Sequence, residues 1–97
     1  MAKLEVEVRL GTGVAGYALF VDGVPAAMGA DHRGKAECGG RCGDGSTHAL
    51  LYTFSGVPGA RLGITVRCSA RIVCGLNVEI VAAAGPPWRA GREIFAI

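Results

Sequence analysis

The sequence is poor in the features that mark most enzymes, membrane proteins and nucleic-acid binders. It has two histidines, only 6% aromatic residues, and a net charge of +2 that forms no basic stripe. A nucleic-acid partner is therefore not expected. No apolar run reaches the length of about 18 residues that a membrane span needs, so we expect no membrane partner. Charged side chains at residues 3–9 interrupt any secretory leader. A cytoplasmic location is the expectation, with a mature secreted domain as the alternative.

Helical periodicity is missing as well, whereas strand-like alternation recurs along the chain. Residues 3–10 (KLEVEVRL) alternate polar and apolar side chains without a break. The Asp-Gly pair at residues 22–23 separates two apolar runs and predicts a type I′ hairpin turn. Pro25 has no backbone N–H, which favours a sheet edge for the returning strand. The remaining strands are expected at residues 17–21, 24–28, 48–55, 61–68, 72–82 and 92–97.

About seven short strands without a helix predict an all-β fold. We expect one domain over residues 1–97, a small antiparallel two-sheet β-sandwich of immunoglobulin-like size, with a small β-barrel as the alternative. The Gly- and Cys-rich loop at residues 29–47 is long for a compact domain, so it is functional, mobile, or contains a short strand near residues 35–38. The predicted core consists of Val6, Val8, Leu62, Ile64, Val66, Leu76, Val78 and Ile80.

The four cysteines raise the question of disulfides or a metal site. Three pairings of Cys38, Cys42, Cys68 and Cys74 are open, and the local one, 38–42 with 68–74, is the simplest. Free thiols in a loop are the alternative for the first pair, and buried apolar thiols for the second. His32 and His48 flank the loop and could complete a Cys2His2 set. Because the cysteine spacings fit zinc knuckles poorly, we predict no metal site.

Established catalytic motifs are not recognisable around the loop. Asp44 and His48 lie near Cys42, but no nucleophile elbow surrounds them. The backbone amides of residues 39–45 (GGRCGDG) could cradle an anion, but no helix and no Lys-Ser/Thr pair follows them. We therefore expect no catalytic residue and no cofactor.

A few single residues are candidates for contact with a ligand or a partner. Trp88, in the segment PPWRAGR, could stack on a sugar ring or anchor a partner, or it could plug one end of the sandwich. Arg61, Arg67 and Arg71 could form a carboxylate-binding stripe or an ordinary solvated face. Phe95 lies in the terminal strand REIFAI, which is apolar on both faces. Such a strand at a sheet margin would expose unpaired backbone groups, which predicts that a second copy covers it. The alternative is a central strand with neighbours on both sides and both sheet faces covered.

Three functions remain open at this point. The high apolar content of 51% in a short chain favours a non-enzymatic interaction module that self-associates. The first alternative is a small-ligand or carbohydrate-binding sandwich that uses residues 29–47 and Trp88. The second is a metal or redox site built on the cysteines.

Overall fold

Alternating side chains bury one face of each of two antiparallel sheets, which pack against each other. The computed structural model describes residues 1–80 and 87–97 and contains only strands, turns and connecting segments there. Its strands are β1 (Ala2–Leu10), β2 (Val14–Val21), β3 (Val24–Pro25), β4 (Ala27–Met28), β5 (Arg33–Cys38), β6 (Thr47–Gly56), β7 (Arg61–Cys68), β8 (Arg71–Glu79) and β9 (Trp88–Ala96). No helix in these residues could cross a membrane.

The two-sheet β-sandwich predicted from the sequence is confirmed. One sheet has five strands in the order β4-β5-β1-β7-β8, and the other has four in the order β3-β2-β6-β9. The described strands outnumber the predicted seven for two reasons. The stretch at residues 29–47 contains β5, which pairs with β1, and the predicted strand at residues 24–28 divides between the two sheets. The last two residues predicted for the 72–82 strand lie outside the described residues.

The predicted core is largely confirmed. Val6, Val8 and Ile80 are buried, and Leu62, Ile64 and Val66 in the central part of β7 are fully so. Leu76 and Val78 are only partly buried because β8 is the outermost strand of its sheet. The burial of Ile64 supports the expectation that its replacement by Ala costs about 2–5 kcal/mol.

The Asp-Gly turn has the predicted geometry. Asp22 and Gly23 have φ angles of 49° and 82°, both in the left-handed region that a type I′ turn requires. The turn also positions the Asp22 carboxylate, which accepts the backbone N–H of Ala49 at 2.9 Å. It thereby links the end of β2 to the start of β6.

Candidate functional site

One disulfide joins two cysteines that are distant in sequence, and neither bridge of the local pairing considered from the sequence, 38–42 or 68–74, is formed. Cys42 forms a disulfide with Cys68, with their Cα atoms 5.6 Å apart. The tight turn at Ser69 and Ala70 sets Arg71 opposite Cys68, and Cys74 lies opposite Val66, so Cys74 does not face Cys68. Cys38 points into the core at the end of β5. Burial raises the pKa of the Cys38 and Cys74 thiols, so neither has the thiolate character of a reactive cysteine.

The two histidines are engaged away from the cysteines. His32 Nδ1 lies 2.9 Å from the Tyr17 hydroxyl, and His48 Nδ1 lies 2.6 Å from Asp22 Oδ2. In residues 1–80 and 87–97, no three His, Cys, Asp or Glu side chains cluster closely enough to hold a metal ion. The Cys2His2 set considered from the sequence is therefore not assembled.

A chain of hydrogen bonds that the sequence did not predict runs from Asp22 through His48 and Ser46 to Asp44. The Ser46 hydroxyl lies 3.0 Å from His48 Nε2 and 2.6 Å from Asp44 Oδ1. The same Asp44 carboxylate accepts the backbone N–H groups of Arg41 and Ser46, both at 2.8 Å. These bonds, with the Ser46 hydroxyl first among them, lower the pKa of Asp44 to about 2.

The direction of the Ser46 hydroxyl distinguishes this series of hydrogen bonds from a Ser-His-Asp catalytic triad. Ser46 has one hydroxyl proton, and the carboxylate of Asp44 can only accept it. The Ser46 oxygen also lies beside His48 Nε2, and Asp22 Oδ2 lies beside Nδ1 of the same ring. A serine nucleophile would instead give its proton to the imidazole. The hydrogen bonds among Asp22, His48, Ser46 and Asp44 therefore connect the Asp22 turn to the segment at residues 39–46. We call these four residues the clamp.

The three candidate arginines do not converge on one site. Arg67 Nη1 lies 3.3 Å from Glu7 Oε2, and Arg61 Nε lies 3.8 Å from Glu79 Oε1. Arg71 is directed elsewhere, because its Nη2 donates to the backbone carbonyl of Ile97 at 2.8 Å. Each guanidinium thus faces an acceptor of its own chain, which leaves no shared carboxylate-binding stripe.

The outer face of the five-stranded sheet carries acidic and basic side chains, whose charges largely neutralise each other. Glu5 lies between Lys35 and Arg67 on the neighbouring strands, and Glu7 pairs with Arg33. A depression of about 360 Å³ opens here, lined by charged side chains of both signs. Cross-strand pairs of this kind stabilise a sheet modestly and suit a solvated surface.

The outer face of the four-stranded sheet is different in character. Its cross-strand rows run Ala18–Thr53–Ala90 and Phe20–Leu51–Arg92, and small or apolar side chains predominate. Leu51, Ile94 and Trp88 are 39%, 54% and 56% exposed. This apolar outer face ends at β9, the outermost strand of the sheet.

The positions of Trp88 and Phe95 settle two alternatives raised by the sequence. Trp88 does not plug the sandwich, since it stands exposed beside a shallow depression of about 340 Å³ that includes Thr53 and Ser55. Phe95 is 5% exposed and packs inward, with its ring 6.0 Å from that of His48. It is therefore not available to a partner, and a Phe95→Glu change would disrupt the core. The exposed apolar residue of this segment is Ile94.

The backbone of β9 is paired on one side only. Within the part of the chain that the structure describes, β9 has β6 as its sole strand partner. Pro87 O accepts the Gly56 N–H and Ile97 N–H donates to Ser46 O, so odd-numbered residues direct their backbone groups to β6. Because these groups alternate in direction, the even-numbered residues present theirs at the open edge. These residues are Trp88, Ala90, Arg92, Ile94 and Ala96.

Comparison of the chain with protein-family models, curated proteins and solved structures finds no match.

Proposed function

We propose that the protein is a non-enzymatic interaction module that associates with a second copy of itself through the free edge of β9. The observation that carries the proposal is the nine-residue strand Trp88–Ala96, which has no strand partner on one backbone edge among residues 1–80 and 87–97. Open edges of this length are templates for strand addition unless they are covered.

The surroundings of β9 support an association by strand addition. The exposed Trp88 and Ile94 side chains project from the outer face beside the unpaired backbone groups. A second strand laid along this edge would satisfy the backbone groups and cover part of the apolar surface at the same time. Both effects favour association, the first through hydrogen bonds and the second through burial of apolar area.

The hydrogen bonds of Ser46 support the non-enzymatic part of the proposal. The serine is the one hydroxyl in the described residues that contacts a histidine held by a carboxylate, and its proton is committed to Asp44. An activated nucleophile requires that proton to pass to the base.

Ala90→Pro tests the proposed edge directly. The N–H of Ala90 points to the open edge, so its loss removes no bond to β6, and proline is tolerated at edge positions. Sedimentation equilibrium at tens of micromolar should show a dimer for the original chain and a monomer for Ala90→Pro. Ala90→Thr is the matched control, because it keeps the N–H and should remain dimeric. A monomeric original chain, or a dimer that survives Ala90→Pro with an unchanged circular dichroism spectrum, would refute the proposal.

A second candidate function rests on the depression beside Trp88. An exposed indole next to the hydroxyls of Thr53 and Ser55 offers a stacking surface and hydrogen-bonding groups, which suits a small saccharide. Titration of tryptophan fluorescence with neutral oligosaccharides should then show saturable binding that Trp88→Ala abolishes. Absence of a saturable change at millimolar saccharide would exclude this candidate.

A further inference from the structure

The charges along β9 match those of a second β9 in one particular register. Because the free N–H and C=O groups belong to even-numbered residues in both copies, a two-fold antiparallel ladder must pair even with even. The symmetry axis then passes beside a single residue of the strand. The residues in the middle of β9 beside which the axis could pass are Ala90, Gly91, Arg92 and Glu93.

We infer, on the basis of the proposed self-association, that the two β9 strands pair antiparallel about a two-fold axis at Gly91. This register sets Arg89 opposite Glu93 of the second copy, and the symmetry repeats the pair on the other side of the axis. It also sets Trp88 opposite Ile94 of the second copy on the apolar outer face. Opposite charges and large apolar side chains are both favourable as directly facing cross-strand pairs.

The other registers match the side chains less well. An axis at Arg92 or at Glu93 sets each of these residues opposite its own copy, so that like charges face each other. An axis at Ala90 sets Arg89 opposite Gly91 and takes Glu93 beyond the paired residues of β9. Among the four registers, the one centred on Gly91 is alone in pairing both Arg89 and Glu93 with an opposite charge.

Gly91 itself suits a position on the axis. A Cβ atom at this residue would overlap the Tyr52 hydroxyl, so the position has no room for a side chain. Two glycines facing each other form a pair without mutual hydrogen bonds, in which the Cα atoms approach to about 4.5 Å. No side chain stands between the two backbones there.

The charged residues of this register are available for pairing. Glu93 makes no ion pair within residues 1–80 and 87–97. Arg89 donates from Nη1 to the backbone carbonyl of Glu79 at 2.8 Å, which leaves its remaining guanidinium N–H groups for a carboxylate. Both side chains are exposed beside the open edge.

Charge reversal tests the register separately from the association. Arg89→Glu and Glu93→Arg each create two like-charge pairs in a homodimer, so each should weaken the dimer by about tenfold or more. An equimolar mixture of the two variants should form a heterodimer at least as tight as the original dimer, because every facing pair is then opposite in charge. The double variant Arg89→Glu with Glu93→Arg should also recover. Affinities are measured by sedimentation equilibrium.

The control is Glu37→Arg, which makes the same charge change as Glu93→Arg on the outer face of the other sheet and should leave the dimer unchanged. If the original chain is monomeric, both the association and the register are refuted. If the original chain is dimeric but neither the mixture nor the double variant recovers affinity, the register alone is refuted. Thermal unfolding of each variant identifies any loss of fold.

Discussion

Two of the outermost strands, β8 and β9, lie next to each other on one side of the sandwich, yet their edges are very different. The ends of β8 are tied to the rest of the chain: Arg71 bonds to the Ile97 carbonyl, and the Glu79 carbonyl accepts Arg89. Its pairing with β7 is also interrupted by a bulge after Val66. The strand β9 pairs regularly with β6 over its whole length, and no described strand pairs with its other edge.

The contrast shows that an open edge is not by itself a binding site. A strand whose terminal groups are used within the chain and whose pairing is bulged makes a poor template for another strand. By that criterion β9 is the better candidate for strand addition.

The largest loss of stability is expected when the buried side chain that anchors β9, Phe95, is truncated. Phe95→Ala should lower the free energy of unfolding by about 3–5 kcal/mol, because the ring is buried against the core. Ile94→Ala, one residue earlier and exposed, should change it by less than about 0.5 kcal/mol. Urea unfolding of both variants under conditions that keep the protein monomeric makes the comparison. Equal effects would mean that β9 does not have one anchored and one free face.

Removal of the disulfide is expected to cause the second largest loss of unfolding free energy. Its cysteines are 26 residues apart, and the entropy of a loop of that length corresponds to about 3.5 kcal/mol. The bridge fixes the segment at residues 39–46, whose Gly43 N–H bonds to the Ile97 carbonyl after the end of β9. Urea unfolding of Cys42→Ser with Cys68→Ser should show this loss, and added reductant should destabilise the original chain but not the variant. No effect of reductant on the original chain would contradict the pairing.

A smaller loss is expected from the contact that ties the start of β8 to the end of the chain. Arg71→Met removes the hydrogen bond to the Ile97 carbonyl but keeps most of the aliphatic length, and should cost about 1 kcal/mol. Arg61→Met is the matched control, since its ion pair with Glu79 is long and exposed. If both variants have the same stability as the original chain in urea unfolding, the end of β8 is not tied as described.

The smallest loss of stability is expected from weakening the clamp, whose His48 lies opposite Phe95 near the C-terminal end of β9. Hydrogen bonds lower the pKa of Asp44 to about 2, and the Ala49 N–H and then His48 lower that of Asp22. Carboxyl groups with lowered folded-state pKa values stabilise the fold above their ordinary value of 3.8 and lose that contribution as the pH falls toward 2. The urea midpoint should therefore decline between pH 4 and pH 2, and Asp44→Asn should decline less. Identical pH profiles would show that Asp44 does not contribute.

The parts of the fold that the sequence could predict are those decided by neighbouring residues. The alternation of residues 3–10 and 61–68 predicted the buried positions of the two central strands, such as Val6 and Ile64, and the Asp-Gly pair predicted the turn. Which residues of the last strand face the core could not be predicted in this way. Both faces of REIFAI are apolar, so only its pairing with β6 determines that Phe95 is buried and Ile94 exposed.

Long-range features escaped prediction for a related reason. The disulfide depends on the path of the 39–46 segment, which brings Cys42 to the end of β7 and has no local signal in the sequence. For the clamp, the Asp-x-Ser pattern at residues 44–46 and the alternation of Ser46 with His48 were visible hints. Its contact with Asp22, which lies 26 residues away, required the hairpin and β6 to be brought together.

The passage of residues 24–28 from one sheet to the other gives the far side of the sandwich two short edge strands. The chain leaves β3 and enters β4 of the opposite sheet with one residue between them, and each of these strands is two residues long. They pair with only two residues each of β2 and β5. A two-fold pairing of β9 with a second β9 uses the same edge in both copies. Pairing through β9 would thus end at a closed dimer, because the β9 edge of each copy is then occupied and cannot add a third copy.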